Sequence, residues 1–479
     1  MVRHPLTWML VVFGLIYADI SLVNHANFRT YALDLGAYTN AMYDYIHGRF
    51  NDSMVFKAQA ENLWADHFDL YLIVFSPLVL VFGTYTLLIV QIVALLIGGV
   101  GVYRCVLYRS SHQHLALMAA LSFYCSFGVY AALAADYHSN VVAACVLPWF
   151  IDAVHRNLWK RAVLLGICIW IGKENMALWL MFVCIGLAIL HRTTPRKAFL
   201  LLIFAVFSLM YFVAVIGWIM PSFSLHNAYP HFHYTCLGEG FGSALYHVIA
   251  HPIDTLRLLF VNHQGHAHGD YVKMELHLMV LCSGLPLLFW RPAYVVMLLP
   301  IYGQKLFHDQ LSMWGIGHQY SIEFVPVMAI GIFDVISTWT SVRTQRVVGW
   351  TVVTMQLACS IRWMDRTIYY TPKSHVRIYA PDHYFRKYST DEAHRLLSSI
   401  PEDAIVSAQS PYLPHLSLRD KVYQFPMIHD AQWIVLNRLE APYPLGQEAF
   451  DAQCDALLRD ARWEVVEEWP LVVLRGREK

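Results

Sequence analysis

Residues 85–103 read YTLLIVQIVALLIGGVGVY, a run of 19 residues without a charged side chain. An α-helix rises about 1.5 Å per residue, so a run of this length covers nearly all of the roughly 30 Å hydrocarbon core of a bilayer. The stretch therefore predicts a transmembrane helix. Similar apolar runs elsewhere in the chain predict further helices of this kind.

Ten further apolar runs occur, at 6–23, 115–134, 139–154, 162–172, 175–190, 198–220, 272–290, 293–303, 320–338 and 347–361. Of all residues, 57% are hydrophobic and 14% charged, whereas soluble domains average about 45–50% and about 25%. The sequence predicts a polytopic α-helical membrane protein of about eleven spans, with residues 1–363 as the membrane domain. The first run lacks a small-residue cleavage site and is predicted to be retained. Residues 70–82 are predicted to form a helix at the outer surface.

The connections between the runs alternate between two kinds. Short basic ones carry Arg104 and Arg109; Arg156, Lys160 and Arg161; Arg192, Arg196 and Lys197; Arg291; and Arg343 and Arg346. The others are acidic and rich in histidine and aromatic residues, with a first outer loop at 24–69 and a large outer loop at 221–271. Because basic loops stay in the cytoplasm, Arg3 predicts a cytoplasmic N-terminus, and eleven spans place the C-terminus outside.

The composition changes after residue 363. Residues 391–400 and 446–461 have helical patterns, while 403–410, 421–425, 431–437, 463–469 and 471–476 are typical of strands. We expect residues 364–479 to form a small extracytoplasmic α/β domain. Cys236 and Cys454 are the cysteines in polar regions, which leaves a disulfide between them open. The net charge of zero gives no electrostatic case for binding nucleic acid.

Acidic, basic and histidine side chains lie in several of the predicted outer connections and should converge on one face of the membrane. They are Asp34; Asp66 and His67; Asp136 and His138; Lys173 and Glu174; and His318. Lys173 and Glu174 follow a run of only about 16 Å, so we expect them to line a cavity partly within the membrane. A carboxylate and several cations together fit a site with a general base and a phosphate-binding group.

Simpler interpretations of these residues stay open. Asp34 precedes an amphipathic pattern at 35–47 and could be its N-cap, and Asp66 could cap a helix in the same way. Lys173 and Glu174 could be a structural pair. Residues of types that bind zinc or other divalent ions also occur together in the large outer loop, although such a loop can equally be a solvated surface. They are His263, His266, His268 and Asp270.

Several ordered motifs carry a family resemblance. They are LDLGAYTNAMYDYIHGR (33–49), WADHFDLYLIVFSPLVLVFGTYTLLIVQ (64–91), DYHSNVVAACVLPW (136–149), GKENMALWL (172–180), GHQYSIEFVPVMAI (317–330) and IPEDAIVSAQSPYLPHLSLRDKVYQFP (400–426). Together they resemble the bacterial and archaeal membrane family catalogued as domain of unknown function 2079. That family in turn looks like a branch of the GT-C glycosyltransferases, which use polyprenyl-phosphate sugars at the outer face of the membrane.

The resemblance implies a role for each matching residue. It gives Asp34 the position of the base or acceptor-binding acid, and it gives donor-phosphate or substrate binding to the others, namely Asp66, His67, Asp136, His138, Lys173, Glu174 and His318. Two departures stand out: Tyr38 and Thr39 occupy the place of a second acid, and Gln319 extends a simpler His-Tyr pair.

The function that the sequence predicts is transfer of a sugar from a polyprenyl-phosphate donor to a glycan, lipid or protein acceptor in the inner membrane. The sequence leaves open whether a divalent metal is a cofactor, and membrane lipid is an expected partner. The alternative is a transporter or lipid-handling protein without catalysis, because short helices with charges in the membrane also line substrate pathways. A scaffold or degenerate transferase, with the outer domain binding a partner, is a third interpretation.

Overall fold

Helices form at every apolar run. The computed structural model describes residues 5–369 and 372–477, so Arg3 lies outside the described residues. The helices at the runs are Pro5–Ala26, Thr86–Ser110, Gln113–Tyr124 with Phe127–Leu133, Ser139–His155, Trp159–Trp170, Glu174–Leu190, Pro195–Ala214, Gly269–Cys282 with Leu285–Leu288, Pro292–Leu306, Phe324–Ile336 and Val342–Asp365. Hydrophobic runs thus predict the positions of the helices well.

Three helical segments in the described ranges are long and apolar enough to cross a membrane, namely Pro5–Ala26, Tyr71–Ser110 and Pro195–Phe223. The number rises to five if each of two bent pairs is one span; these are Gln113–Tyr124 with Phe127–Leu133 (41°) and Leu311–Ser321 with Phe324–Ile336 (66°). Some large apolar side chains on the three long segments, such as Leu15 and Phe199, are more than half exposed, as contact with lipid requires. The chain is a helical membrane protein, and the count of eleven spans stays a prediction.

The segment predicted as a helix at 70–82 consists of three short helical pieces. They are Tyr71–Phe75, Ser76–Leu78 and Val79–Phe82, and the turn Gly83–Tyr85 joins them to the long helix Thr86–Ser110. Leu80 and Val81 point away from the protein, with about three quarters of each side chain exposed. An exposed apolar edge of this kind suits contact with lipid.

The helix Thr86–Ser110 connects two polar ends of the molecule. Near its start, the side chain of Gln91 donates to the carbonyl oxygen of Asp136 (2.7 Å) and accepts from the backbone N–H of His138 (2.9 Å). Near its finish, Arg109 Nε donates to Asp334 Oδ1 (2.9 Å). Eighteen residues separate Gln91 from Arg109, which is about 27 Å along a helix. We call these the site end and the basic end.

The basic end collects several of the short basic connections. Arg109 and Arg291 both pair with the buried carboxylate of Asp334. His155 Nδ1 lies 3.0 Å from His191 Nε2, and Lys197 donates to the carbonyl oxygen of His155 (3.3 Å). The alternation of basic and acidic connections along the sequence therefore corresponds to two separate ends in space.

The C-terminal sheet region, residues 372–477, contains a five-stranded sheet. In spatial order the strands are Val422–Gln424, Val406–Ala408, Trp433–Leu436, Val472–Gly476 and Trp463–Glu467. The first three strands are parallel to one another. Val472–Gly476 pairs antiparallel with both of its neighbours, Trp433–Leu436 and Trp463–Glu467. The region also contains the helices Thr390–Ser398 and Gln447–Arg459. Each strand and helix that the sequence predicts after residue 363 is therefore present.

Cys236 and Cys454, between which the sequence left a disulfide open, are not bonded to each other. All nine cysteines are free thiols. Cys454 is buried in the apolar core beside the sheet, together with Phe450 and Ile434. Cys236 instead donates its thiol hydrogen to the carbonyl oxygen of Phe307 (3.2 Å). The possible disulfide is therefore absent, because the helix Gln447–Arg459 turns Cys454 inward.

The C-terminal sheet region packs directly on residues 24–55, which comprise the last turn of the first helix and the segment after it. Asn40 Nδ2 donates to the carbonyl oxygens of Ser417 (3.1 Å) and Arg419 (2.9 Å). The backbone N–H of Ala32 donates to Ser410 Oγ (3.1 Å). At Gly36 a Cβ atom would lie 2.6 Å from Leu413 Cδ2, so only glycine allows this close approach without a shift. These contacts fix the backbone on both sides of Asp34.

Arg29 is the most heavily bonded side chain in this contact. Its buried guanidinium donates to the carbonyl oxygens of Ser374 (3.1 Å), Asp382 (2.6 Å), His383 and Phe385 (3.3 Å). A planar cation with five N–H donors is suited to gather four carbonyl groups in this way. Arg29 therefore holds the segment 374–385 at four carbonyl groups, and Asn24 and Asn27 bond the same segment from the end of the first helix and just beyond it.

We predict that Arg29→Leu loosens this contact by about 3 kcal/mol or more, because several buried carbonyl oxygens lose a charged donor. Chymotrypsin, which cleaves after aromatic residues, should then cut at Tyr379, Tyr384 or Phe385 well before the wild type is cut. The matched control is Arg49→Leu, which removes a half-exposed ion pair to Asp420 (2.7 Å) worth about 0–1 kcal/mol. Equal cleavage rates of the two variants in detergent would contradict the prediction.

Candidate functional site

Asp34 has an unusual backbone conformation. It lies in the turn Ala32–Gly36, with φ +67° and ψ −92°, a region that few non-glycine residues adopt. The following helix is Ala37–Ile46, and its N-cap residue is Gly36, with no side-chain capping bond. The N-cap interpretation of Asp34 was therefore wrong, because the chain leaves the helical conformation at residues 33 and 34.

The carboxylate of Asp34 faces the site end and is about one third exposed. Tyr38 donates its hydroxyl hydrogen to Oδ1 (3.2 Å), and His138 Nε2 lies 3.9 Å from Oδ2. Gln319 Nε2 is 3.2 Å from His138 Nδ1, and since an amide nitrogen only donates, the proton of a neutral imidazole is on Nε2. Burial lowers the pKa of His138 to about 4, so this ring is neutral and turns its N–H towards Asp34.

Tyr38 and Gln319 are two of the three residues at which the sequence departs from the resembled family. In the structure both contact the groups around Asp34, Tyr38 directly and Gln319 through His138. His318 lies next to Gln319, half-buried, with its ring centroid 6.2 Å from that of Tyr320. The departures thus belong to the site itself.

Asp136 supports the segment that presents Asp34. Its Oδ2 accepts from the backbone N–H of Tyr31 (2.9 Å), and its own φ is +60°. Burial, and to a smaller extent the charge of Asp34, raises the pKa of Asp136 well above its usual range. A buried carboxyl group that contacts backbone is suited to fixing the loop, so contact with a substrate phosphate stays a prediction for this residue.

A second group of side chains is formed by Lys173, His67 and Glu174. Lys173 Nζ donates to His67 Nε2 (3.1 Å), and His67 Nδ1 is 3.2 Å from Glu174 Oε1. Because an ammonium group only donates, His67 Nε2 accepts and its Nδ1–H donates to Glu174. Glu174 Oε2 also accepts from the backbone N–H of Phe68 (3.3 Å). The predicted elements at 66–67 and 173–174 therefore meet.

His231 joins this group from the large polar loop. Its ring stacks on that of His67, with centroids 4.5 Å apart, and its Nε2 lies 2.6 Å from the carbonyl oxygen and 3.3 Å from Oδ1 of Asp66. Burial alone would lower the pKa of His231, but hydrogen bonding to Asp66 raises it overall. Sequence reasoning did not single out His231, because three histidines lie between 226 and 233 and spacing does not distinguish them.

The two groups of side chains adjoin each other. Burial is the largest cause of the lowered pKa of His138, and the charge of Lys173 lowers it further. Burial raises the pKa of the Tyr38 hydroxyl most, and the charges of Asp34 and Asp66 both raise it further. The candidate site is therefore one polar region, which we call the site cluster. Its members are Asp34, Tyr38, Asp66, His67, Asp136, His138, Lys173, Glu174, His231 and Gln319.

Three of the four weaker metal candidates have other partners. His263 Nδ1 contacts Lys273 Nζ (3.1 Å), His266 Nε2 lies 2.7 Å from the carbonyl oxygen of Asp309, and Asp270 Oδ1 accepts from the backbone N–H of Asn262. His268 has φ +62° and precedes the helix Gly269–Cys282. Within residues 5–369 and 372–477, the group whose ligand atoms come together is Asp66, His67 and His231.

Asp69, beside the cluster, should make stability depend on pH. Its Oδ1 accepts from the backbone N–H of Tyr71 (2.9 Å), and burial raises its pKa to about 7. An acid with a raised folded-state pKa stabilises the fold fully below its unfolded pKa of about 3.9, and this stability is lost as pH rises towards 7. We predict that Asp69→Asn flattens this decline and stabilises the protein above pH 7, by up to about 4 kcal/mol.

The measurement is thermal unfolding in detergent between pH 4 and pH 8. Asp52→Asn, which changes an exposed carboxylate in the same segment, should retain the profile of the wild type. A profile of Asp69→Asn parallel to that of the wild type would show that the buried carboxyl does not titrate in this window.

The fold and the cluster define a class of protein: a helical membrane protein whose ionisable residues gather where its apolar helices end. The chain matches the family described as "Predicted membrane protein (DUF2079)" over residues 24–473. It belongs to this family, as the motifs in the sequence indicate. No curated protein matches the chain.

Proposed function

We propose that the protein is a membrane-embedded glycosyltransferase of the GT-C type. It transfers a sugar from a polyprenyl-phosphate donor to an acceptor at the extracytoplasmic face, with Asp34 as the general base. Eleven spans, a cytoplasmic N-terminus and an extracytoplasmic C-terminal sheet region complete the proposal. The observation that carries it is the placement of the Asp34 carboxylate, partly exposed in a strained backbone turn, beside a neutral imidazole.

The geometry around Asp34 suits activation of an acceptor hydroxyl. Asp34 Oδ2 and His138 Nε2 are 3.9 Å apart, so one hydroxyl oxygen can contact both at about 2.8 Å. The hydroxyl gives its proton to Oδ2 while its oxygen attacks the anomeric carbon of the sugar. The bond from that carbon to the lipid phosphate breaks, and the phosphate leaves with the electron pair. The proton on Asp34 then passes to solvent.

The phosphate of the donor requires a cation near this carboxylate. Lys173 uses one N–H to contact His67 Nε2, so its other two can contact phosphate oxygens. A largely buried ammonium group is a stronger electrostatic partner than one in water, because the surrounding dielectric constant is lower. The leaving phosphate is already stable as an anion, so positioning and charge are the main catalytic demands.

The location of the cluster supports a lipid-linked substrate. It lies about 27 Å along the helix Thr86–Ser110 from the basic end, a distance close to the thickness of the hydrocarbon core. If the basic end is cytoplasmic, as the positive-inside rule requires, the cluster lies at the opposite surface of the membrane. A polyprenyl chain can then remain in the lipid while its phosphate enters the cluster.

We predict that Asp34→Asn lowers transfer by about 10²–10⁴-fold, because the amide cannot accept the proton. The assay uses vesicles of native membrane lipid that contain the purified protein and a radiolabelled polyprenyl-phosphate hexose, and it measures release of free polyprenyl phosphate. Asp44→Asn is the matched control, since Asp44 lies in the same segment and pairs with Arg49 (2.8 Å). Thermal unfolding of both variants should resemble that of the wild type.

Two outcomes would overturn the proposal. Full release of polyprenyl phosphate by Asp34→Asn would exclude Asp34 as the base. Movement of the labelled donor across the vesicle membrane by the wild type, without any release, would instead support the carrier alternative.

A further inference from the structure

Three side chains of metal-ligand type converge at the edge of the site cluster. Asp66 and His67 are neighbours in the first polar segment, while His231 comes from the loop after the helix ending at Phe223. One ligand atom from each lies within 4.8 Å of the other two. Ligand atoms around a tetrahedral zinc ion are about 3.4 Å apart, given bond lengths of about 2.0–2.2 Å. A small inward movement of side chains would therefore bring all three to bonding distance.

His67 is already oriented as a metal ligand. Its Nδ1–H donates to Glu174 Oε1 (3.2 Å), which fixes the tautomer and leaves the lone pair on Nε2. Histidines that bind metals commonly donate their other N–H to a carboxylate in this way. The group on Nε2 is the ammonium of Lys173, at 3.1 Å, so this lone pair already faces a cation.

The charges nearby also favour a divalent cation. Asp66 and Glu174 contribute two negative charges, which Lys173 balances only in part. Two imidazoles and one carboxylate form a ligand set that zinc and similar transition metals accept, whereas calcium and magnesium prefer oxygen ligands.

We propose that Asp66, His67 and His231 bind one divalent transition-metal ion of the zinc class, with Glu174 orienting His67. The ion takes the position at His67 Nε2 that the ammonium of Lys173 holds, and it replaces the proton on His231 Nε2, which passes to solvent. Lys173 is thereby released from His67. Its use of the freed N–H to contact a donor phosphate rests on the proposed function, while the metal site does not.

The test is metal binding by the full-length protein in detergent, purified with an affinity tag that contains no histidine. After chelator treatment and dialysis against zinc, the wild type should retain about one zinc per chain by mass spectrometry. Cobalt in its place should give the visible absorption of a four-coordinate site. His231→Gln and Asp66→Asn should lose the bound metal, and Glu174→Gln should bind it about 10–100-fold more weakly.

The control is His266→Gln, which changes a histidine of the same large loop outside the proposed site. It should retain zinc as the wild type does. Absence of stoichiometric zinc in the wild type, or zinc content in His231→Gln equal to that of the wild type, would overturn the proposal. The cobalt spectrum of the wild type decides the matter even if a variant fails to fold.

No sugar donor is present in this test, so its result is separate from that of the transfer assay. Zinc binding without release of polyprenyl phosphate would support the metal site and contradict the proposed function. Release of polyprenyl phosphate without zinc binding would support the proposed function and contradict the metal site.

Discussion

The bilayer is the constraint on which the rest of this structure depends. Hydrocarbon offers no partner to a backbone N–H or C=O group, so the chain must satisfy these groups within helices wherever it meets lipid. Irregular backbone and ionisable side chains are then confined to the ends of the helices. The helix Thr86–Ser110 illustrates both consequences, because Gln91 bonds the loop of Asp136 and His138 near one end while Arg109 pairs with Asp334 near the other.

The site end depends in turn on contacts that hold irregular backbone in place. Asp34 and Asp136 both have positive φ, a conformation that costs about 1–3 kcal/mol for such residues and persists only where surrounding contacts enforce it. Tyr31 bonds the carboxyl group of Asp136, and Ser410 bonds the N–H of Ala32. The C-terminal sheet region is thus part of what positions Asp34, although it lies more than 370 residues away in sequence.

Hydrophobicity and alternation predicted the helices and strands of this chain because these patterns are local. The strand Trp433–Leu436 and the helix Glu174–Leu190 were both expected within a few residues of where they occur. The meeting of His67 with Lys173 was anticipated only as convergence on one face, since the positive-inside pattern assigns loops to sides and not to neighbours.

Errors arose where a distant contact overrides a local pattern. The pattern at 35–47 is helical, but the chain turns sharply at Asp34 to meet the C-terminal sheet region, so the helix begins at Ala37 and its cap is Gly36. His231 could not be distinguished from its neighbouring histidines, because its contacts with Asp66 and His67 span more than 160 residues. Such pairings leave no periodicity in a single sequence.

The distribution of charge within the cluster gives its acids different capacities. Glu174 and Asp66 each lie within 3.3 Å of an imidazole nitrogen, and the imidazole beside Glu174 also contacts the ammonium of Lys173. Among the basic side chains in the described ranges, His138 is the one within 4 Å of the Asp34 carboxylate, and its ring is neutral. Asp136 is buried against the backbone N–H of Tyr31 and Glu174 is buried beside His67, whereas about a third of the Asp34 carboxylate is exposed. Asp34 is therefore the acid that an acceptor hydroxyl can reach most easily, which is why the proposed function gives it the role of the base.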